Sequence, residues 1–267
     1  MRASVGDVAL HYEVAGDSGP PLILLHGGPG ADHTLFKPEF SALADACRVV
    51  YLDQRGSGES DVGSPETWTW PRWADDVAAF CTALSLDRPV LVGVSSGGLV
   101  ALTCAARHPG LVGGLVLDSP LGAPTSLDET LGVFEKRGGA AAREAARSYL
   151  TGDTTAEAQA AWAEHCLPLY GAPSTKPRRV NEDVLTHFRT GGCGSADATA
   201  LLPQITCPTL ILAGEHDPVS PAAAARRLAA QLTNARVTLE IAPGVGHGVL
   251  RQDPERAFGL VRRFLAS

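Results

Sequence analysis

The sequence predicts an α/β fold, a mostly parallel sheet flanked by helices on both faces, with a helical segment inserted between two of its strands. Three observations point there. Short runs of Val, Ile and Leu without polar alternation mark strands buried on both faces. Longer segments with apolar residues at helical spacing fall between them. Strand–helix alternation of this kind joins parallel neighbours through crossover helices, which gives a doubly wound sheet.

Taken in order, VGDVALHYEVAGD (5–17) reads as two antiparallel edge strands. PLILL (21–25), RVVYL (48–52), PVLVG (89–93), GLVLD (114–118), PTLILA (208–213) and VTLEI (237–241) read as buried strands, bringing the sheet to eight. WADDVAAFCTAL (73–84) and GLVALTCAARH (98–108) carry apolar residues at helical spacing. PAAAARRLAAQL (221–232) opens with Pro at a favourable first-turn position. DPERAFGLVRRFL (253–265) offers an Asp cap, a Pro and then an amphipathic stripe. Between about 120 and 203 the rhythm breaks. AAAREAARSYL (140–150), AEAQAAWAEHCL (156–167) and NEDVLTHF (181–188) are helix candidates there, while GAPSTKPRR (171–179) and TGGCGSADAT (190–199) read as loops. The expected division is a core of residues 1–119 and 203–267 with a helical cap over 120–202.

Composition narrows the function classes. The 267 residues are 45% hydrophobic and 19% charged, which is globular composition. Net charge is −7 without a basic stripe, so phosphate neutralisation by clustered Lys and Arg is not expected. The N-terminal residues show no apolar core of a secretory signal, and no run of about 18 apolar residues suggests a bilayer span. None of the six cysteines forms a C-x-x-C pair with another, so neither a zinc site nor any other metal is implied. Several lie in apolar segments, consistent with a reduced, cytoplasmic compartment.

One stretch carries chemistry. Gly93-Val94-Ser95-Ser96-Gly97 is G-x-S-x-G at a strand-to-helix junction. A nucleophile on so sharp a turn needs small residues two before and two after it. Ser95 has Gly on both sides, whereas centring on Ser96 would put Val94 in a crowded place. The ordinary alternative is a Gly/Ser turn capping a helix. Chain order argues against it, because an acid and then a base should follow on later strand ends. Asp217, in GEHDP after the PTLILA strand, is the expected acid, with Glu215 and Asp118 as rivals. His247, amid glycines after the VTLEI strand, is the expected base, with His216 as its alternative. The Ser96 amide at a helix N-terminus and the Gly28 amide in LLHGGPG (24–30) are the expected oxyanion donors. His26 is expected to hold that loop through hydrogen bonds without titrating.

HGGPG (26–30), DQRGSGES (53–60), WADDVAAF…LSLDRPVLVGVSSGG (73–98), GEHDPVSP (214–221) and GVGHG (244–248) resemble the α/β-hydrolase superfamily. Within it they look most like the proline iminopeptidases, serine aminopeptidases that release N-terminal proline. The resemblance covers about residues 5–119 and 203–265. It implies the α/β-hydrolase fold, a triad of Ser95, Asp217 and His247, an oxyanion hole at Gly28 and Ser96, and no cofactor. It also implies that Asp53 and Arg55 brace the loops around the site. Members of that family hold the substrate's α-amine with cap glutamates, and Glu182 and then Glu164 are the positional candidates here. Ser96 departs from the aromatic residue common after the family's nucleophile. The expected partner is a small-molecule or short-peptide substrate, and the sequence leaves monomer and dimer open. Another acyl substrate (an ester, lactone, thioester or amide) is the alternative activity. A non-catalytic binding protein would show a damaged triad, and no damage is visible. Ser95 stands where epoxide hydrolases and dehalogenases carry Asp.

Overall fold

A computed structural model describes residues 1–123, 125–171 and 179–267. The GAPSTKPRR segment expected as a loop therefore lies almost wholly outside the described residues.

Eight strands form one sheet: β1 (Arg2–Val5), β2 (Val8–Ala15), β3 (Pro21–Leu25), β4 (Arg48–Leu52), β5 (Val90–Val94), β6 (Gly114–Asp118), β7 (Thr209–Gly214) and β8 (Val237–Ala242); β2 fills most of the segment expected to hold both edge strands, and β1 lies ahead of it. Their order is β1-β2-β4-β3-β5-β6-β7-β8. β1 pairs antiparallel with β2 and β2 antiparallel with β4, and every later pairing is parallel. The order reverses between β4, β3 and β5, so the carboxyl ends of β3 and β5 open side by side, where doubly wound sheets form ligand sites.

The helices are α1 (Trp70–Ala83), α2 (Ser96–Arg107), α3 (Leu127–Leu150), α4 (Ala156–His165), α5 (Glu182–Arg189), α6 (Ala222–Gln231), α7 (Val249–Gln252) and α8 (Pro254–Leu265). α1 begins three residues before the expected start, because Thr69 caps it by accepting from the Arg72 amide. α3 begins thirteen residues before the AAAREAARSYL segment and breaks at Gly139, whose φ is 77°. The two glycines at 138 and 139 hid its first half from a periodicity reading. Pro221 precedes α6 rather than occupying its first turn. Asp253 stands before α8, but its side chain makes no capping hydrogen bond.

Leu25, Leu91, Leu117 and Ile211 on one sheet face pack against residues of α1, α2 and α6. Leu24, Val92, Val116 and Leu212 on the other pack against Phe40, Phe258 and Val261. The insert between β6 and β7 has its own small core, with Leu131, Phe134, Ala142, Trp162 and Cys166. Five cysteines are buried and Cys207 partly so; all six are free thiols. Burial pushes the Cys47 and Cys166 thiols up to about 11, away from reactivity at neutral pH.

Two buried charges fix the loop after β4. The Asp53 carboxylate accepts from the His33 amide at 2.7 Å and the Glu59 amide at 3.0 Å, and it bonds the Nδ1 atoms of His33 and His11. Arg55 is fully buried and donates to both oxygens of Asp76 at 2.7 and 2.8 Å and to Asp7 at 2.8 and 3.0 Å. These contacts make both residues braces, as the resemblance implied, rather than members of a surface turn. Removing one partner of a buried, bidentate pair strands the other charge, so Arg55→Ala should lower unfolding free energy by about 3–5 kcal/mol. Urea titration of the two proteins measures the difference; a change within ±0.5 kcal/mol would show the pair to be dispensable.

Candidate active site

The turn between β5 and α2 is built by its glycines. A Cβ on Gly93 would lie 2.5 Å from the Gly97 carbonyl oxygen and 2.6 Å from the Gly98 Cα. A Cβ on Gly97 would lie 2.2 Å from the Leu25 carbonyl oxygen. Between them Ser95 takes φ 54°, ψ −119°, a left-handed conformation that L side chains rarely adopt. Its amide donates to the Asp118 carbonyl at 3.0 Å, and its carbonyl accepts from Gly98 and Leu121. Ser96 begins α2 and is buried, so its hydroxyl is not presented to solvent. The strain falls on Ser95, not on Ser96.

The acid and the base come from the ends of β7 and β8. Asp217 Oδ1 accepts the Val219 and Ser220 amides at 2.8 and 2.9 Å, which fixes the carboxylate plane. Its Oδ2 lies 2.9 Å from His247 Nδ1. With the carboxylate ionised, Nδ1 carries the proton and Nε2 keeps its lone pair. The ring is almost wholly buried and meets the Tyr170 ring edge-on at 5.1 Å. The His247 amide donates to the Tyr170 carbonyl at 2.8 Å. Burial opposes the imidazolium, but the Asp217 charge, its hydrogen bond and the Asp118 charge outweigh it and hold the pKa above the ordinary histidine value.

The rivals have other work. Asp118 accepts the Val249 and Leu250 amides at 2.8 and 3.2 Å. Glu215 accepts the Gly244 amide at 2.9 Å, and His216 is half-exposed beside Glu215. Among these acids Asp217 is the one hydrogen-bonded to the His247 ring.

Ser95 and His247 line one cleft of about 1900 Å³, together with Gly27 and Gly28. Gly27 passes so close that a Cβ there would sit 3.0 Å from Ser95 Cβ. Gly28 has φ 117°, and among the described residues neither its amide nor that of Ser96 donates to a backbone carbonyl. His26 holds the loop: the Gln54 amide donates to its Nε2 at 3.1 Å, so Nδ1–H donates to the Gly27 carbonyl. Burial pushes this ring's pKa down, which keeps it neutral.

Glu182, the first residue of α5, lines the cleft and is exposed. Glu164 does not line it. Its side chain is 75% exposed beside His165, because α4 buries Ala158 and Trp162 and turns position 164 outward. The sequence reading missed Glu129, which lines the cleft and bonds Arg227 of α6 through both oxygens at 2.9 Å. Its signal was present: Ser126-x-x-Glu129 is a capping pattern, and Ser126 Oγ accepts the Glu129 amide.

Removing the Asp217 charge should lower the His247 pKa, whereas the native ring should titrate above 6.5. Imidazole NMR of the native protein and Asp217→Asn checks both; equal titration midpoints would remove Asp217 as the ring's partner.

Comparison with known proteins places this geometry in context. A family model described as the alpha/beta hydrolase fold matches residues 20–254. A protein of Caulobacter sp. (strain K31) named "Putative carbamate hydrolase RutD" is 32% identical over 266 residues, covering 96% of each chain. A proline iminopeptidase of Levilactobacillus brevis is 29% identical over 252 residues, covering 86% of this chain and 84% of its own. Among solved structures, the proline iminopeptidase of Mycobacterium smegmatis superposes with a TM-score of 0.78 at 25% identity, covering 100% of this chain and 97% of its own. A Thermogutta terrifontis esterase gives a TM-score of 0.71 at 28% identity over the same shares. With the sheet order, the strained serine turn and the acid–base pair at the ends of β7 and β8, these matches make the chain a member of the α/β-hydrolase family, a hydrolase by descent.

Proposed function

We propose that the chain is a serine hydrolase that cleaves acyl esters or amides through an acyl-enzyme on Ser95. One observation carries the reading: a histidine hydrogen-bonded to a buried carboxylate shares a cleft with a serine held at positive φ. His247 Nε2 takes the Ser95 proton as Oγ attacks the substrate carbonyl, then returns it to the leaving group. Asp217 keeps the ring's tautomer and supports the imidazolium that forms. The Gly28 and Ser96 amides receive the developing oxyanion, an interaction worth about 2.7–4 kcal/mol per donor. Water entering by the same base then frees the acid.

The walls favour an uncharged acyl group. Phe134, Trp162, Tyr170 and Leu250 contribute apolar surface. Asp32, Glu39, Asp118, Glu129, Glu182 and Asp197 also line the cleft, and four of them, Asp32, Asp118, Glu129 and Asp197, are engaged by protein donors. An ammonium group needs a carboxylate partner to leave water. The second reading, an aminopeptidase releasing N-terminal proline, rests on Glu182 at the cleft and on the iminopeptidase relatives. In both readings residues 120–202 act as the cap. No helix among the described residues is long and apolar enough to cross a membrane. The six free thiols support the cytoplasm as the site of action.

Ser95→Ala should abolish turnover while leaving the thermal transition in place, and Ser96→Ala should keep most of it. Loss confined to the Ser96 variant would show that the elbow register is displaced by one. A substrate panel separates the two readings: 4-nitrophenyl acyl esters, proline anilide and N-acetylproline anilide. The acyl-hydrolase reading expects ester cleavage and indifference to the free amine; at least about tenfold preference for free over blocked proline anilide would favour the aminopeptidase.

A further inference from the structure

Asp118 is a fully buried carboxylate at the end of β6. Its backbone carbonyl accepts the Ser95 amide at 3.0 Å. Its side chain accepts the amides of Val249 and Leu250, two and three residues after His247. Ser119, next in the chain, holds φ 48° and accepts the Gly248 amide on Oγ at 2.9 Å. One dipeptide therefore grips both the turn that carries Ser95 and the loop that carries His247. A buried carboxylate is a costly way to cap a four-residue helix, since a neutral hydroxyl or amide would serve.

We infer that Asp118 is a second acidic positioning residue of the site, locking the His247 loop to the Ser95 turn and lending its charge to the imidazolium. The inference rests on the serine-hydrolase reading given above. Among the described residues, the charges that act most on the His247 ring are Asp217 from the β7–α6 loop, Asp118 from β6 and Arg251 from α7, and Asp217 in turn acts on Arg137 of α3. The two carboxylates favour the protonated ring and Arg251 opposes it. Burial pushes the Asp118 carboxyl up to about 6, against its two amide donors and the His247 charge. Asp118 is therefore ionised at neutral pH and loses its charge as the medium becomes mildly acidic.

The sign of the effect separates charge from scaffolding. Activity requires neutral His247, so the rate falls as pH drops through the ring's pKa. Removing a neighbouring negative charge lowers that pKa, so Asp118→Asn should move the acid inflection of kcat/KM to lower pH by about half a unit or more. It should also reduce turnover about tenfold, because the amide's NH2 opposes one of the two backbone donors. Ser119→Ala removes a neighbouring loop contact without changing charge; it should slow turnover and leave the inflection where it was. An Asp118→Asn profile with an unmoved inflection would overturn the electrostatic role, and unchanged turnover would overturn the positioning role. If Asp118→Asn does not fold, carboxyl carbon NMR of the native protein and His247→Gln decides. Loss of the imidazolium should raise the Asp118 pKa, and an unchanged value overturns the inference. Full activity in His247→Gln would instead sink the serine-hydrolase reading itself.

Discussion

A serine forced into left-handed backbone geometry, with no room for a side chain two residues to either side, is the constraint on which the rest depends. Such a conformation costs about 1–3 kcal/mol and persists only where its surroundings over-determine it. Here the Ser95 amide is held by the Asp118 carbonyl, and its carbonyl by the Gly98 and Leu121 amides. Gly97 lets α2 settle against the Leu25 carbonyl. The same contact brings the glycine loop after β3 beside the Ser95 side chain. The serine turn, the glycine loop after β3 and the end of β6 are thus a single packed object.

Much of this was legible from residues alone, because parallel strands and glycine turns leave strong local signals. The six strands β3 to β8 appear where unbroken apolar runs predicted them, since a strand covered on both faces has little freedom in composition, whereas β1 lies almost wholly ahead of the 5–17 segment expected to hold both edge strands. Ser95, Asp217 and His247 could be placed from strand ends and chain order. The insert was less legible. The first half of α3 carries Gly132 and ends at Gly138-Gly139, which diluted the helical period even though Ser126 and Glu129 marked its start. Glu164 failed as a cleft residue because the outward face of a short amphipathic helix is set by packing partners distant in sequence. Glu129 went unnoticed for the same reason: its partner Arg227 lies on the far side of β7 along the chain.

The division between readable and unreadable parts follows the division of labour in the molecule. In the proposed reading the sheet and its loops fix how a carbonyl is attacked and the insert fixes which carbonyl arrives, a choice that a shared scaffold does not determine. Relatives named as esterases and as proline iminopeptidases superpose on the whole chain at similar identity. The buried Asp53 and Arg55 clusters belong to the first part. They stiffen the loop after β4 through polar contacts, which demand one geometry where apolar packing would tolerate several.

The backbone contact between Tyr170 and His247 links the two parts. Gly246 has no space for a side chain because the Tyr170 carbonyl lies 2.2 Å from where its Cβ would be, and Gln252 ties that carbonyl to the His247 carbonyl. The insert therefore does more than line the cleft; its 167–171 turn serves as a structural wall of the loop that carries His247. A chimera that grafts a relative's insert onto this sheet would have to carry over the 167–171 turn unchanged, or the exchanged specificity would come with a disordered histidine.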